Sequence, residues 1–502
     1  MYDSMDAARI SGYFKRKSIL ITGSTGFLGK ILVEKILRVQ PDASKIYLLV
    51  RGADASSAQQ RVQEEVINTE LFGLLMEKHG NGFQQLIQEK VVAVAGDIIY
   101  ENLGLEAPVL KALAEEMDVI VNIAATTNFY ERYDVSLDVN VMGVKHLCQF
   151  AKQCPRLKMF MHVSTAYVCG DVRSREVLIL EKPIESGESL REGRYLDIDA
   201  ELRLVKEAKK ELQNSPVDEA ACKTERKAMK ELGLQRARHF GWPNTYVFTK
   251  AMGEMLLGQL RGAMPMVIVR PSIITSVRAD PLPGWMQGVR TIDTLIIGYA
   301  KQNLSCFLGD LSVVVDVIPG DMVVNAMMAA VAAHSEEKGQ AVVPVYHVTS
   351  SLRNPATYEV LYESGRRHFY KNPRVGENGE VIPTKEMRFF PTIARLRLYL
   401  MLTFKLPLEI LHLVNLLLCG LFSRLYNDLN RKYKFVMHLL DVYGPFAFFN
   451  GCFDDINMER LRQAMAMKTP EDHMFNFDPK TIDWDDYFTR IHIPGVLKYL
   501  HK

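Results

Sequence analysis

The chain has 502 residues, 48% hydrophobic and 24% charged, enough for a sizeable core that divides more naturally into two domains than one. Its 61 basic and 59 acidic residues leave a net charge of +2, so no cationic surplus exists to neutralise phosphates and nucleic acid is excluded as the main partner. Seven cysteines (Cys148, Cys154, Cys169, Cys222, Cys306, Cys419 and Cys452) are odd in number and lack paired ligand spacing; they read as reduced thiols facing the cytosol, with no metal site.

No apolar signal core opens the chain, and the first strand begins so early, at Ser18, that a cleavable transit peptide would cut into it; secretion and plastid import are not expected. That strand runs through Ile19, Leu20 and Ile21 into Thr22-Gly23-Ser24-Thr25-Gly26-Phe27-Leu28-Gly29, and a helical pattern follows over Lys30–Val39. Glycines at three-residue spacing suit a dinucleotide: Gly23 takes the tight turn, Gly26 lets backbone approach a pyrophosphate, and Gly29 lets the helix pack close to the sheet. An ordinary strand-to-helix turn is the alternative reading of the same loop.

The second strand, Lys45–Val50, is closed by Arg51 where an NAD site usually carries an acid. A guanidinium there can pair with a 2′-phosphate, which points to NADPH; a solvated strand-end arginine is the bland reading. The third, Lys90–Ala95, leads to Gly96-Asp97-Ile98, where Asp97 can reach an adenine amino group or cap the next turn. The fourth, Val119–Ala125, ends in Ala124 and Ala125, small enough to leave room for the cofactor, and continues into Thr126. Asn140, on the following helix, either orders backbone or water beneath the site or is a satisfied buried polar group.

The fifth strand, Lys158–Val163, runs into Ser164 and Thr165, two hydroxyls at the carboxyl edge of the sheet where open sheets bind ligands. Either can hold a substrate carbonyl. His162, inside the strand, reads as structural and stays outside the mechanism. Tyr246 and Lys250 lie four apart entering the helical stretch Lys250–Leu260, so the ammonium is expected beside the phenol, favouring its ionised form and making it an acid-base group.

Alternating strands and helices predict an α/β fold, a Rossmann-like doubly wound parallel sheet over residues 1–355, with a charged helical insertion at about 175–240. From 356 to 502 the pattern becomes mainly helical, with Asn354-Pro355 as candidate boundary and Lys371–Lys385 as candidate linker. The greasiest stretch, Leu406–Phe422, carries Glu409, His412 and Asn415 on one stripe and has basic flanks at Arg395, Arg397, Lys405 and Arg424. A spanning helix rarely keeps such a stripe in lipid; the stretch reads as an amphipathic helix that packs on a partner, lines a site or lies on a membrane surface.

Taken with Ala124-Ala125-Thr126-Thr127-Asn128-Phe129, His162-Val163-Ser164-Thr165-Ala166-Tyr167, Gly241-Trp242-Pro243-Asn244 before Tyr246, Arg270-Pro271-Ser272 and Asp316-Val317-Ile318-Pro319-Gly320-Asp321, the glycine loop makes the sequence resemble the extended short-chain dehydrogenase/reductase superfamily. Within it, the chain resembles the plant-type alcohol-forming fatty acyl-CoA reductases along nearly its whole length. That resemblance implies reduction of a long- or very-long-chain acyl-CoA by two NADPH, through an enzyme-held aldehyde, to a primary alcohol in lipid and wax metabolism. It extends the cofactor set to Ile98, Pro271 and Ser272, gives Tyr246 the proton and Lys250 the ribose, and points to the cytosolic face of the endoplasmic reticulum. Insertion cations either form solvated faces or meet CoA phosphates. A reductase stopping at the aldehyde, a nucleotide-sugar epimerase and a non-enzymatic nucleotide-binding scaffold share parts of this pattern. The epimerase has no need of the hydrophobic C-terminal domain, and a scaffold has none of an intact Ser164, Thr165, Tyr246 and Lys250.

Overall fold

A computed structural model describes residues 5–172, 176–213, 219–289, 291–302, 304–334, 342–375, 378–465 and 469–500, so the link 214–218 inside the charged insertion lies outside the described residues. Seven strands form the central sheet: β1 (Ser18–Thr22), β2 (Lys45–Val50), β3 (Val91–Ala95), β4 (Val119–Asn122), β5 (Met159–Val163), β6 (Met266–Pro271) and β7 (Val345–Val348). Their spatial order is β7-β6-β5-β4-β1-β2-β3, with every neighbouring pair parallel. The order reverses at β1, so the crevice beyond the ends of β1 and β4 is the switch point where doubly wound sheets take a ligand. Continuous apolar runs such as Ile19-Leu20-Ile21 and Val267-Ile268-Val269 are buried on both faces, as a sheet covered by helices on each side demands.

The helix carrying Tyr246 and Lys250 (Thr245–Leu260) starts sharply because Asn244 caps it, its side chain accepting from the Val247 N–H at 3.0 Å. Losing such a cap costs about 1 kcal/mol. Trp242, buried just before it, donates its indole N–H to the Val168 carbonyl at 2.8 Å and pins the approach to the loop after β5. Gly253 lies where a Cβ would stand 2.4 Å from the Asn140 carbonyl oxygen, so only glycine lets this helix close on the helix after β4.

The last part of the chain returns to the first. Helix Ile456–Ala464 packs against β7 and helix Gly320–Ala333, and Met458, Leu461, Trp484, Phe488 and Val496 join the core that also holds Ile10, Ile19 and Ile46. Met5 bridges to Met465, and the Ala7 N–H donates to Asp472 Oδ1 at 2.9 Å. Asn354, at the candidate boundary, donates to the carbonyls of Pro479 (2.8 Å) and Ile482 (2.7 Å), while its own carbonyl accepts from the Trp484 indole.

Residues Ile393–Leu417 form one helical run, long and apolar enough to cross a membrane, whose most apolar 18-residue window has mean hydropathy 1.5 and is little buried. It pairs with helix Ser423–Ala447 through its polar stripe. Asn415 accepts from the Phe422 N–H at 2.7 Å, His412 stacks on Tyr426 at 4.6 Å, and Lys405, ion-paired with Glu409, sits 5.7 Å above the Tyr433 ring. Leu406, Ile410, Leu413 and Leu417 consequently face outward, with Leu417 81% exposed. The usual amphipathic arrangement is inverted: polar groups inside the hairpin, leucines outside.

Candidate active site

The glycine loop forms a cradle at the end of β1. Gly23 has φ +72°, and a Cβ there would lie 2.7 Å from the Ala124 nitrogen; a Cβ on Gly29 would lie 2.3 Å from the Gly23 carbonyl oxygen. At Gly26 a Cβ would meet only that same oxygen, at 3.3 Å, so this side of the loop stays open. Gly26 begins helix Phe27–Val39 with no side-chain cap, leaving its first N–H groups available to an anion, and the buried Ser24 hydroxyl has no partner. Thr22 takes the Ala124 N–H at 3.2 Å, and Thr25 and Leu28 complete the loop with Phe27, which stacks on Trp285 at 5.3 Å. These features fit a dinucleotide pyrophosphate.

Around the cradle, Arg51 is exposed at the end of β2, with only its carbonyl engaged, by Arg61. Asp97 caps its own turn, accepting from the Ile99 N–H at 3.2 Å. Ile98 turns its side chain into the core against Gly143, where a Cβ would come within 2.6 Å, and its carbonyl meets His146 Nδ1 at 2.9 Å. Asn140 satisfies all its hydrogen-bonding groups: Oδ1 accepts from the Thr126 N–H (3.1 Å), while Nδ2 donates to the Thr126 carbonyl (3.2 Å) and the Thr249 hydroxyl (3.0 Å). It thereby fastens the strand end at Ala125 and Thr126 to the Tyr246 helix as a satisfied buried polar group, so both sequence readings describe it. The Ser272 N–H donates to Val348, and the Pro271 carbonyl faces the Thr165 hydroxyl at 3.5 Å.

Tyr246 is half-buried, and desolvation pushes its phenol up to about 12, with a hydrogen bond to the Thr165 hydroxyl pulling the other way. Its ring stacks on Phe129 at 5.7 Å. The neighbouring Ser164 hydroxyl is buried without a partner. Lys250 departs from expectation. Its Nζ donates to the Val163 carbonyl at 2.8 Å and meets His162 Nε2 at 3.4 Å, while burial and the Thr165 bond set the phenol's proton affinity. Four-residue spacing puts both groups on one helix face, but the fully buried ammonium turns to the carbonyl at the end of β5. Burial lowers Lys250 to about 8, with Glu254 opposing. Glu254 is itself clasped by Arg270 at 2.5 to 3.2 Å.

Two groups escaped sequence reasoning. His162, read as structural, stands against Lys250; period-two alternation, which puts it on the same face as Ser164, was the available signal. Phe446, in the last turn of helix Ser423–Ala447, and Phe449, just beyond it, close an apolar pocket lined also by Phe129, Tyr167, Tyr246 and Tyr358. A second apolar pocket, bounded by Tyr299, Phe307, Phe369 and Phe389, shares Tyr358 as a wall.

A family model described as Male sterility protein matches residues 21–327, and a second with the same description matches residues 403–502. Fatty acyl-CoA reductase 1 of Arabidopsis thaliana is 46% identical over 493 residues, covering 98% of both chains. The chain belongs to the fatty acyl-CoA reductases. Alcohol-forming fatty acyl-CoA reductase of Simmondsia chinensis is likewise 46% identical over 490 residues, covering 97% of this reductase and 98% of that protein. Among solved structures, the terminal R domain from the myxalamid PKS-NRPS biosynthetic pathway aligns with a TM-score of 0.57 at 18% identity, covering 96% of this chain and 91% of that one. The R domain of a non-ribosomal peptide synthetase from Mycobacterium tuberculosis gives 0.55 at 17%, covering 99% and 96%. At such identities the likeness is one of fold alone.

Proposed function

We propose that this reductase converts a long-chain acyl-CoA to a primary alcohol with NADPH, holding the aldehyde between two rounds of reduction. The observation that carries this reading is the placement of Tyr246, hydrogen-bonded to Thr165, on the wall of an apolar pocket closed by the aromatic rings of Phe446 and Phe449. Acid chemistry beside an apolar pocket is what reduction of an aliphatic carbonyl requires.

The glycine loop would hold the pyrophosphate, Arg51 the 2′-phosphate, and Lys250 the ribose. NADPH, when bound, supplies the hydride. Negative charge then collects on the substrate oxygen, where the Thr165 hydroxyl and the Tyr246 phenol can both donate. Tyr246 gives up its proton to that oxygen, a transfer favoured because an alkoxide is a stronger base than a phenolate, even for a phenol near 12. In the first round the tetrahedral adduct expels the CoA thiol. The aldehyde, retained among Phe129, Phe446 and Phe449, meets the same donors in the second.

We further infer residence on the cytosolic face of the endoplasmic reticulum, with the leucine face of the Ile393–Leu417 hairpin lying in the lipid surface. The outward leucines and exposed Arg395, Arg397 and Arg424 support it, because such a face gains free energy only in an apolar medium with anionic edges.

Incubation with NADPH and acyl-CoAs of graded length, with aldehyde and alcohol separated over time, tests the chemistry. Alcohol accumulating without free aldehyde is the expected product pattern. Aldehyde released at the rate of NADPH consumption would reassign the protein as an aldehyde-forming reductase, and the absence of any NADPH oxidation would end the proposal.

A further inference from the structure

Thr22, Asn122 and His162 occupy one row of the sheet. Thr22 on β1 is in register with Asn122 on β4, and Asn122 with His162 on β5. All three are buried to within 1% of complete, in a sheet whose strands are otherwise apolar at this depth. Buried polar side chains are tolerated only when their hydrogen bonds are made, so the direction of each bond in the row is constrained by its neighbours.

That direction can be read from one end. The Ala124 backbone N–H donates to Thr22 Oγ1 at 3.2 Å, and a backbone N–H has no other polarity. The Thr22 hydroxyl then gives its own proton to Asn122 Oδ1, 2.8 Å away. With its oxygen so oriented, Asn122 turns Nδ2 toward His162 Nδ1 at 3.1 Å and donates to it. An imidazole accepting at Nδ1 carries its proton on Nε2 when neutral. Neutral it is: burial and the nearby Lys250 and Arg270 cations hold His162 well below the usual histidine range. The Nε2–H therefore points at Lys250 Nζ, 3.4 Å away.

Lys250 has few other neighbours. Val163 accepts one of its protons, Glu254 lies one turn on along its own helix, and Glu254 is held by Arg270 on β6, which also stands 3.5 Å from His347 on β7. As an amine, Lys250 can donate to Val163 and accept the His162 N–H with its lone pair. As an ammonium it presents a donor to a donor.

We propose that Thr22, Asn122 and His162 are positioning residues that relay the polarity of one backbone N–H to Lys250, fixing the Nε2–H tautomer of His162 and keeping the lysine exchangeable between ammonium and amine instead of permanently charged. Each ionisation exchanges one proton with solvent and leaves the row unchanged. Because Thr22 directly precedes Gly23, the row begins at the glycine loop and ends at the acid-base helix. The proposal rests on the assignment of Tyr246 and Lys250 to the reductase chemistry, but its first test does not depend on activity.

The test is nitrogen NMR of the full-length protein with labelled histidine, the His162 signal being identified by its loss in His162→Gln. A neutral ring protonated on Nε2 at neutral pH is expected; protonation on Nδ1, or fast averaging between the two, would overturn the proposal. In Asn122→Asp the carboxylate can only accept, so the ring proton should move to Nδ1 and Nε2 should accept from Lys250. The alkaline limb of the aldehyde-reduction profile should then move up by about one pH unit. A flipped tautomer with an unmoved limb also overturns it. Should Asn122→Asp not fold, Thr22→Val frees the amide to turn and should give a mixture of tautomers. If the wild-type protein proves inactive, the reductase reading fails while the tautomer result stands on its own.

Discussion

Lys250 donates to the Val163 carbonyl at 2.8 Å, a bond that joins the Tyr246 helix to the last residue of β5. The ammonium is thereby committed to the sheet, and its burial, not its service to the phenol, sets its proton affinity.

A pH dependence follows. Lys250 titrates near 8 when folded against an ordinary 10.5, so aldehyde reduction should decline as pH rises through about 8 and the ammonium is lost. The folded-state value is the lower one, so the unfolded chain binds more protons between 8 and 10.5 and stability rises with pH across that window. Below it the full penalty, about 3 kcal/mol, is present. Lys250→Met removes that penalty while leaving the Val163 carbonyl unpaired. The difference in thermal midpoint between the two proteins should shift in favour of wild type as pH goes from 8 to 10.5, and a difference independent of pH would refute the reading.

Tyr246→Phe removes the proton donor while keeping the ring that stacks on Phe129. Rates on acyl-CoA and on aldehyde should both fall by about 10²- to 10⁴-fold, with NADPH binding by fluorescence titration unchanged. Thr165→Val should cost less on both substrates. A fully active Tyr246→Phe protein would remove this residue from the mechanism.

Arg51→Glu places a carboxylate where a 2′-phosphate is expected. The ratio of kcat/KM for NADPH to that for NADH should drop by about 10- to 100-fold, the worth of one charge-assisted contact. An unchanged ratio would mean that Arg51 is only a solvated strand end.

Tyr358 separates two apolar pockets, one against Tyr246 and one among Tyr299, Phe307 and Phe369. Tyr358→Leu should open the partition and shift preference toward longer chains in competition among acyl-CoAs of graded length. Uniform loss at all lengths would show a packing role alone.

Leu413→Glu with Leu417→Glu puts charge on the outward face of the hairpin without touching Asn415 or His412. The double variant should stay soluble when mixed with phospholipid vesicles that sediment the wild type, and should reduce a short soluble aldehyde at the wild-type rate. Equal sedimentation of both proteins would exclude this face as the contact.

What the sequence disclosed was local. Strand, glycine spacing and helix are contiguous from Ser18 to Val39, and the order of hydroxyls, Tyr246 and Lys250 reflects strands that end at one edge. The direction of the Lys250 side chain was hidden, because it depends on which acceptor the neighbouring strand presents. The Thr22, Asn122 and His162 row was hidden for the same reason: 140 positions separate its ends, and only sheet order brings them into register. The stripe of Glu409, His412 and Asn415 was legible as a stripe, but its inward orientation needed the partner helix. Phe446 and Phe449 reach Tyr246 from 200 positions downstream, beyond any periodicity.

Helix Ala7–Tyr13, capped by Asp6, is tied to the far end of the chain by the bridge of Met5 to Met465 and by the Ala7 N–H donating to Asp472. During synthesis, at about 5 to 20 residues per second, roughly half a minute or more separates the emergence of Met5 from that of its partners. From the emergence of β7 at Val348 until residue 456 follows, the apolar flank later covered by Met458, Leu461 and Trp484 stands open beside a finished sheet. A truncation that spares every catalytic and cofactor residue but stops before Ile456 should therefore yield aggregates and no smaller working reductase, which makes the C-terminal segment a checkpoint on the whole chain's maturation.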